Sequence, residues 1–444
     1  MLDDIFEVQV ESYDSNGYGV CHINKKVIFI LGALINEKLK IKIISDHKKY
    51  AFAEIIKIIQ KSPLRVEGEC PYSKYCGGCD FFYMPYSEEA KIKENSVKLT
   101  LRDLKDFEFK PIVKADNYLG YRNKVLIPFR KDEEDDVIYG FYEKNSHRLV
   151  SIDKCLISDE KTNEITHFIE RYLSLFHISI YNEETNMGLF KEIMIRHTKL
   201  NEFMLVLVLT SEYDFSDLVD KLNEFFPEIK SIYININSKK TNVVLSNEYK
   251  LIYGKKTILE DILGLKFEVH PSSFLQINHD QCEKLYQIAM DSAKLTKSMN
   301  VIDAYCGIGT ITLNIAKRVN SVLGIEVVED AINNANKNKE INKITNASFI
   351  CGKCEDVITS IDKKNNYDVI FVDPPRKGCE ISFLRTVIDM KIKKLIYISC
   401  NPATMARDIK ILESSGYELE IVIPVDQFPR TNNIETIAIL SLKK

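Results

Sequence analysis

The N-terminal stretch alternates apolar and polar positions in short runs. Phe6 to Val10 alternates, Val27 to Leu31 is rich in β-forming residues, and Leu39 to Ile44 sets apolar side chains against lysines. Asn16-Gly17 and Gly19 punctuate these runs. Short strands joined by turns in so small a span predict an OB-like β-barrel over residues 1–62. Between Pro63 and Pro85 the cysteines and prolines forbid long regular elements. Ser87 to Leu104 then carries a helical pattern, with Ser87 as N-cap and Glu88 and Glu89 in the first turn. Farther on, strands such as Lys124–Phe129 and Phe203–Leu209 mix with helices such as Asp217–Phe225, predicting an α+β central domain over 63–268. Its acidic run Asp132 to Asp136 suits a solvated hairpin tip. After that the rhythm becomes strand, helix, strand, helix: Asn300–Ala304, Thr310–Lys317, Ser321–Glu326, Asp330–Asn342. Such alternation predicts a doubly wound α/β domain over 269–444.

Composition narrows the class without naming a function. With 45% hydrophobic and 28% charged residues, the chain is neither collagen-like nor disordered. Sixty basic against 64 acidic residues leave a net charge of −4, so any nucleic-acid partner must be held by local patches. Lys91, Lys93, Lys98, Arg102, Arg122, Lys124 and Arg130 are candidate phosphate contacts, and equally candidate solvated faces. No apolar stretch approaches the ~20 residues of a spanning helix, and Met1-Leu2-Asp3-Asp4 opens no leader. A cytoplasmic protein is expected, with no membrane and no obligate protein partner. Its eleven cysteines are then reduced thiols, metal ligands or nucleophiles rather than disulfides.

Chemistry concentrates in the last third. In Val301 to Thr310, Gly307 and Gly309 sit where a strand feeds a helix, letting the backbone approach a ligand. A dinucleotide fingerprint needs a third glycine, where this chain has Thr312. The form D-x-x-x-G-x-G instead resembles the first motif of class I S-adenosylmethionine (SAM) methyltransferases. Glu326, ending the next strand, suits the ribose hydroxyls. Another strand ends in Asp373-Pro374-Pro375-Arg376. It lacks the aromatic residue of adenine N6-methyltransferases and the cysteine of cytosine-5 RNA enzymes.

A third strand, Ile396 to Ser399, runs into Cys400 at the same sheet edge, ahead of a helix near Thr404 to Leu412 whose N-terminus favours a thiolate. A uracil-5-methyltransferase needs such a group. Uracil C5 is a weak nucleophile until a thiolate adds at C6, and a base must afterwards remove the C5 proton. Glu435, just before the final strand, is the candidate base.

Ser-Phe-Leu-Gln-Ile-Asn (273–278), Asp-Ala-Tyr-Cys-Gly-Ile-Gly-Thr (303–310), Asp-Pro-Pro-Arg (373–376) and Ser-Cys-Asn-Pro-Ala-Thr (399–404), with Phe-Pro-x-Thr and Glu-Thr near the end, together resemble the RNA uracil-5-methyltransferase family of the RumA/TrmA type. The resemblance spans nearly the whole chain. It implies that Gln276, Tyr305, Glu326 and Asp373 line the SAM pocket, with Cys400 as nucleophile and Glu435 as base. Asn433 departs from the family, which usually carries His there, and Cys351-Gly352-Lys353-Cys354 occupies the region expected to meet the adenine.

Cys70, Cys76, Cys79 and Cys155 supply four thiols, enough for a [4Fe-4S] cluster. Zinc on the two C-x2-C pairs, Cys76/Cys79 and Cys351/Cys354, is the rival. Family members with matching cysteine spacing carry the iron–sulfur cluster, which implies it here. The leading residues likewise resemble the TRAM domain of rRNA-modifying members, whereas tRNA-modifying members of the TrmA type lack both features. By resemblance, then, the expected activity is SAM-dependent methylation of uridine C5 in 23S rRNA through a covalent Cys–C6 adduct. The alternatives are tRNA m5U formation, a small-molecule methyltransferase, and a non-catalytic RNA-binding or ribosome-assembly factor.

Overall fold

The computed structural model describes residues 1–443 apart from Lys105, Asn145, 241–242 and 362–365. Residues 5–60 form a six-stranded, mainly antiparallel sheet curled around Val10, Ile28, Ile30, Leu39, Ile41 and Ile43. In Lys38–Asp46 the residues Leu39, Ile41 and Ile43 are buried and Lys38, Lys40 and Lys42 face outward, as the alternation requires. The following strand, Tyr50–Gln60, is 11 residues long. Three register shifts against its partner let it coil around the small core.

The central region holds a seven-stranded sheet. Phe203–Leu209, buried along its whole length, lies inside it between Phe190–His197 and Ile229–Ile236. Lys124–Lys131 and Val137–Tyr142 pair antiparallel, with the Asp132 carboxylate capping the tip between them through Glu134 N and Asp136 N. The hairpin expectation holds.

The C-terminal sheet carries the chemistry, and its strands are labelled here β1 (Asn300–Ala304), β2 (Ser321–Glu326), β3 (Ala347–Cys351), β4 (Val369–Val372), β5 (Lys394–Ser399), β6 (Tyr417–Val425) and β7 (Glu435–Leu442). The order is β3-β2-β1-β4-β5-β7-β6, parallel except for β7, which runs against both its neighbours. Two apolar cores cover the two faces, as in a doubly wound fold.

Two segments of the expected central domain pack with this sheet instead. The hairpin Ile258–Ile262/Leu265–Val269 buries Ile258, Ile262, Phe267 and Val269 in one core. Helix Tyr86–Thr100 buries Ala90 and Val97 in the other, and Glu108–Phe109 extends the sheet beside β6. That helix starts one residue before Ser87, and Pro85 at its N-cap makes no side-chain bond. Tertiary contacts fix the start: Tyr86 stacks on Tyr118 at 5.0 Å and its hydroxyl donates to Asp426 at 2.8 Å.

Lys93 is no phosphate contact. It is buried between Glu89 at 2.8 Å and Asp426 at 2.7 Å, tying the helix to the loop after β6. Burial works against its charge, but the two carboxylates outweigh it and lift its pKa above the ordinary lysine value. Lys93→Ala leaves Asp426 buried without its counter-charge and Glu89 with only Arg430, a loss of about 3–5 kcal/mol. Urea unfolding should show that loss as a lowered midpoint, and an unchanged midpoint would contradict the pairing.

Candidate active site

β1 ends in a tight coil, with Tyr305, Gly307 and Gly309 all at positive φ (64°, 54° and 84°). Tyr305 holds that geometry at a cost, with its ring against Phe383 at 5.6 Å. Gly309 caps the helix Thr310–Ala316, and a Cβ there would fall 2.9 Å from the Phe349 ring. Gly307 faces open space, where a ligand can meet bare backbone. Beside it the Glu326 carboxylate accepts from Gly307 N at 3.1 Å, Val327 N at 2.8 Å and Val328 N at 3.0 Å, fixed before any ligand arrives. Asp303, under the coil, is buried and pushed up to about 7, first by burial and then by nearby charges including Asp373. Its Oδ1 has no partner among the described residues.

Gln276 lies in the loop between the 258–269 hairpin and helix His279–Ala293. It is buried, and its carbonyl accepts from Asn123 Nδ2 at 3.0 Å. The buried Arg196 guanidinium donates to the carbonyls of His270 and Ser273, holding the loop from below. Sequence reasoning passed over Arg196 and Asn123, because one lies in the central sheet and the other just before it, far along the chain from the motif they support.

Three side chains converge on the neighbouring edge. β4 runs directly into Asp373 and β5 into Cys400, while reversed β7 begins with Glu435. Ser399 pairs with Thr436, so Cys400 and Glu435 lie opposite each other one step outward. Glu435 is buried and its Oε2 has no hydrogen-bond partner among the described residues. Burial and then Asp373 hold its carboxyl well above the ordinary range, opposed by Arg376. Burial also lifts Asp373, to about 7.

The helix beyond Cys400 does not yield a resting thiolate. It begins at Pro402, with the Asn401 side chain capping Ala403 N. Burial, then Glu435 and Asp373, push the Cys400 thiol up to about 11, and Arg376 opposes them. Arg376 stood in the quoted motif without a role; its charge acts on both Cys400 and Glu435.

Cys70, Cys76, Cys79 and Cys155 line one small, largely apolar cavity with Phe82, Arg122 and Ile157. Burial raises the Cys70, Cys76 and Cys79 thiols, with neighbouring cysteines adding to the effect and Arg122 opposing it at Cys79. Thiols are the donors an iron–sulfur group takes, and its positive charge would allow them to ionise. Among the described residues, no group of three or more His, Cys, Asp or Glu is arranged to hold a metal ion. Cys351 and Cys354 are not in the cavity; their thiols lie against the carbonyls of Val327 and Ile325 beside β2. The zinc pairing of the two C-x2-C motifs does not form.

The tRNA (uracil-5-)-methyltransferase model matches residues 85–443, and the TRAM domain model matches residues 3–56. The chain belongs to this methyltransferase family. An RNA methyltransferase of Halalkalibacterium halodurans is 37% identical, over 99% of this chain and 98% of the relative. One from Staphylococcus epidermidis is 39% identical, over 96% and 95%. The crystal structure of Pyrococcus abyssi tRNA (uracil-54, C5)-methyltransferase with S-adenosyl-L-homocysteine superposes with a TM-score of 0.80 at 25% identity, covering 98% of this chain and 99% of that one. The protein is a SAM-dependent RNA methyltransferase with an N-terminal TRAM domain. No helix among the described residues is long and apolar enough to cross a membrane.

Within this family member several expected phosphate contacts are committed elsewhere. Lys91 pairs with Glu88, Lys98 with Glu94 and Arg130 with Glu183. Lys124 is half-buried, and burial lowers it to about 8.

The protonated Cys400 thiol has a direct consequence. Its alkylation by iodoacetamide, read by peptide mass spectrometry, should be slow at neutral pH and climb about tenfold per pH unit toward 11. Glu435→Gln removes a repelling carboxylate and should speed the reaction at alkaline pH. Fast alkylation at pH 7 would contradict the buried, carboxylate-flanked site.

Proposed function

We propose that this protein methylates C5 of a uridine in 23S rRNA through a covalent bond between Cys400 and C6, with Glu435 as base. The supporting observation is the meeting of Cys400, Glu435 and Asp373 on one sheet edge beside the Gly307 coil. A purely binding protein has no use for a buried carboxylate beside a half-buried thiol.

SAM supplies the methyl group as an electrophile, held by Gln276, Tyr305, Gly307, Gly309, Glu326 and Asp373. Cys400 Sγ passes its proton to solvent as it bonds to C6, which makes C5 nucleophilic. Once C5 carries the methyl, Glu435 takes the C5 proton and the Cys400–C6 bond breaks, returning the thiolate. One proton leaves for each methyl gained. Arg376 offsets the negative charge that passes between thiolate and carboxylate. Cys70, Cys76, Cys79 and Cys155 would hold a [4Fe-4S] cluster that anchors the segment around them, and no step requires its electrons. The cytoplasm is the expected compartment, where such thiols stay reduced.

A tRNA uridine is the second reading. The superposed Pyrococcus abyssi enzyme acts on uracil-54 of tRNA and matches this chain over nearly its full length. An N-terminal extension therefore does not by itself separate rRNA from tRNA enzymes. The target uridine is expected to leave its stack, since C5 and C6 must both be reached.

Transcripts of 23S rRNA and tRNA carrying tritium at uridine C5 test both points. Wild-type enzyme should release one tritium per methyl from 23S rRNA. Cys400→Ala should abolish release and methylation while leaving SAM affinity unchanged. Release from tRNA alone would move the substrate, and methylation by Cys400→Ala would overturn the nucleophile. Anaerobically purified protein should be brown with iron; colourless protein with stoichiometric zinc would overturn the cluster.

A further inference from the structure

Glu435 is held by its backbone. With Oε2 unpartnered, its position depends on the strand it opens and on the loop before it, residues 426–434. That loop is fastened to the cysteine-bearing segment. Asp80 N and Phe81 N both donate to the Arg430 carbonyl, at 2.7 and 3.2 Å. The Asp80 carboxylate accepts from Asn432 N at 2.9 Å and pairs with Lys144. Asp80 follows Cys79 directly, so the stretch that supplies three of the four cavity thiols also grips the loop three residues before the base.

The grip is built into the fold at several levels. Arg430 sits at a φ of 69°, a geometry unfavourable for a bulky residue unless its surroundings enforce it. Its guanidinium lies over the rings of Phe82 and Tyr118, at 5.0 and 4.5 Å, and donates to the Met84 carbonyl. Its N–H donates to Glu89 at 2.6 Å, and Tyr121 donates to the Pro429 carbonyl at 2.8 Å. Most of these bonds end on main-chain atoms of the base loop. They fix where that chain runs, and the path of the chain decides where Glu435 stands.

We propose that Asp80 is a positioning residue for Glu435, coupling the cysteine-bearing segment to the step that removes the C5 proton. The inference rests on Glu435 being the base. The main-chain bonds from Asp80 and Phe81 hold Arg430 in place, and the Asp80 carboxylate fixes the last turn toward the strand. Without that carboxylate the loop keeps its anchors at Arg430 and Pro429 but gains freedom at Asn432. Nucleophilic addition and methyl transfer, which depend on Cys400, go on. Proton removal needs a carboxylate at a defined place, so it slows, and the methylated adduct on Cys400 lasts longer.

The test uses the purified full-length holoenzyme with SAM and the RNA it methylates. The fraction of enzyme caught as a denaturation-resistant methylated RNA adduct during turnover is measured beside kcat and the KM for RNA. Asp80→Ala should raise the adduct fraction several-fold and lower kcat about tenfold, with KM unchanged. Asp80→Asn keeps an acceptor for Asn432 N and should fall between that variant and wild type. An adduct fraction that stays at the wild-type level in Asp80→Ala, whatever happens to the rate, overturns the proposal. Glu435→Gln, run alongside, separates the two claims. If it traps adduct and Asp80→Ala does not, only the positioning role fails. If Glu435→Gln traps none, the base assignment itself fails.

Discussion

One strand running the wrong way makes this site. In an all-parallel sheet, only the carboxyl ends of strands reach the ligand edge. Reversing β7 between β5 and β6 brings the beginning of a strand to that edge, beside the ends of β4 and β5. Asp373, Cys400 and Glu435 therefore meet although they are far apart in the chain. Hydrogen-bonded registers, rather than flexible loops, set their spacing. The glycine coil after β1 lies one strand farther along the same edge, which puts the methyl-donor site next to the nucleophile.

Burial of these groups then sets their protonation. A thiol pushed to about 11 keeps its proton at rest, and the two carboxyls raised above the ordinary range are stronger bases than free ones, with Arg376 as the nearby cation. A free thiolate in this position would invite alkylation and oxidation. A neutral thiol, ionised as it bonds to the substrate, is protected between turnovers. Repulsion between carboxylates also favours a site holding a proton, which readies Glu435 to take one when the product forms.

Features governed by local rules were legible in the sequence. The glycines at positive φ, the acid closing β2 and the β/α rhythm all follow from spacing, and all are found. So does the alternation that curls residues 5–60 into a barrel. What escaped depends on distant partners. Lys93 looked like a surface cation because nothing near it reveals Asp426, which neutralises it from across the fold. The helix start shifted from Ser87 because Tyr86 is held by that same aspartate. A helix N-terminus suggested a thiolate at Cys400, yet burial, and after it two carboxylates on neighbouring strands, outweighs it. The 258–269 hairpin has the alternation of any strand pair, and only packing shows which core it serves.

The covalent bond at Cys400 is the central claim, and RNA bearing 5-fluorouridine at the target position tests it most directly. Fluorine cannot leave C5 as a proton, so the enzyme should stall after methyl transfer with the nucleotide attached. Tandem mass spectrometry of the digested complex should place a methylated fluorouridine on the peptide containing Cys400. Attachment to any other cysteine, or turnover with no attachment, would contradict the account.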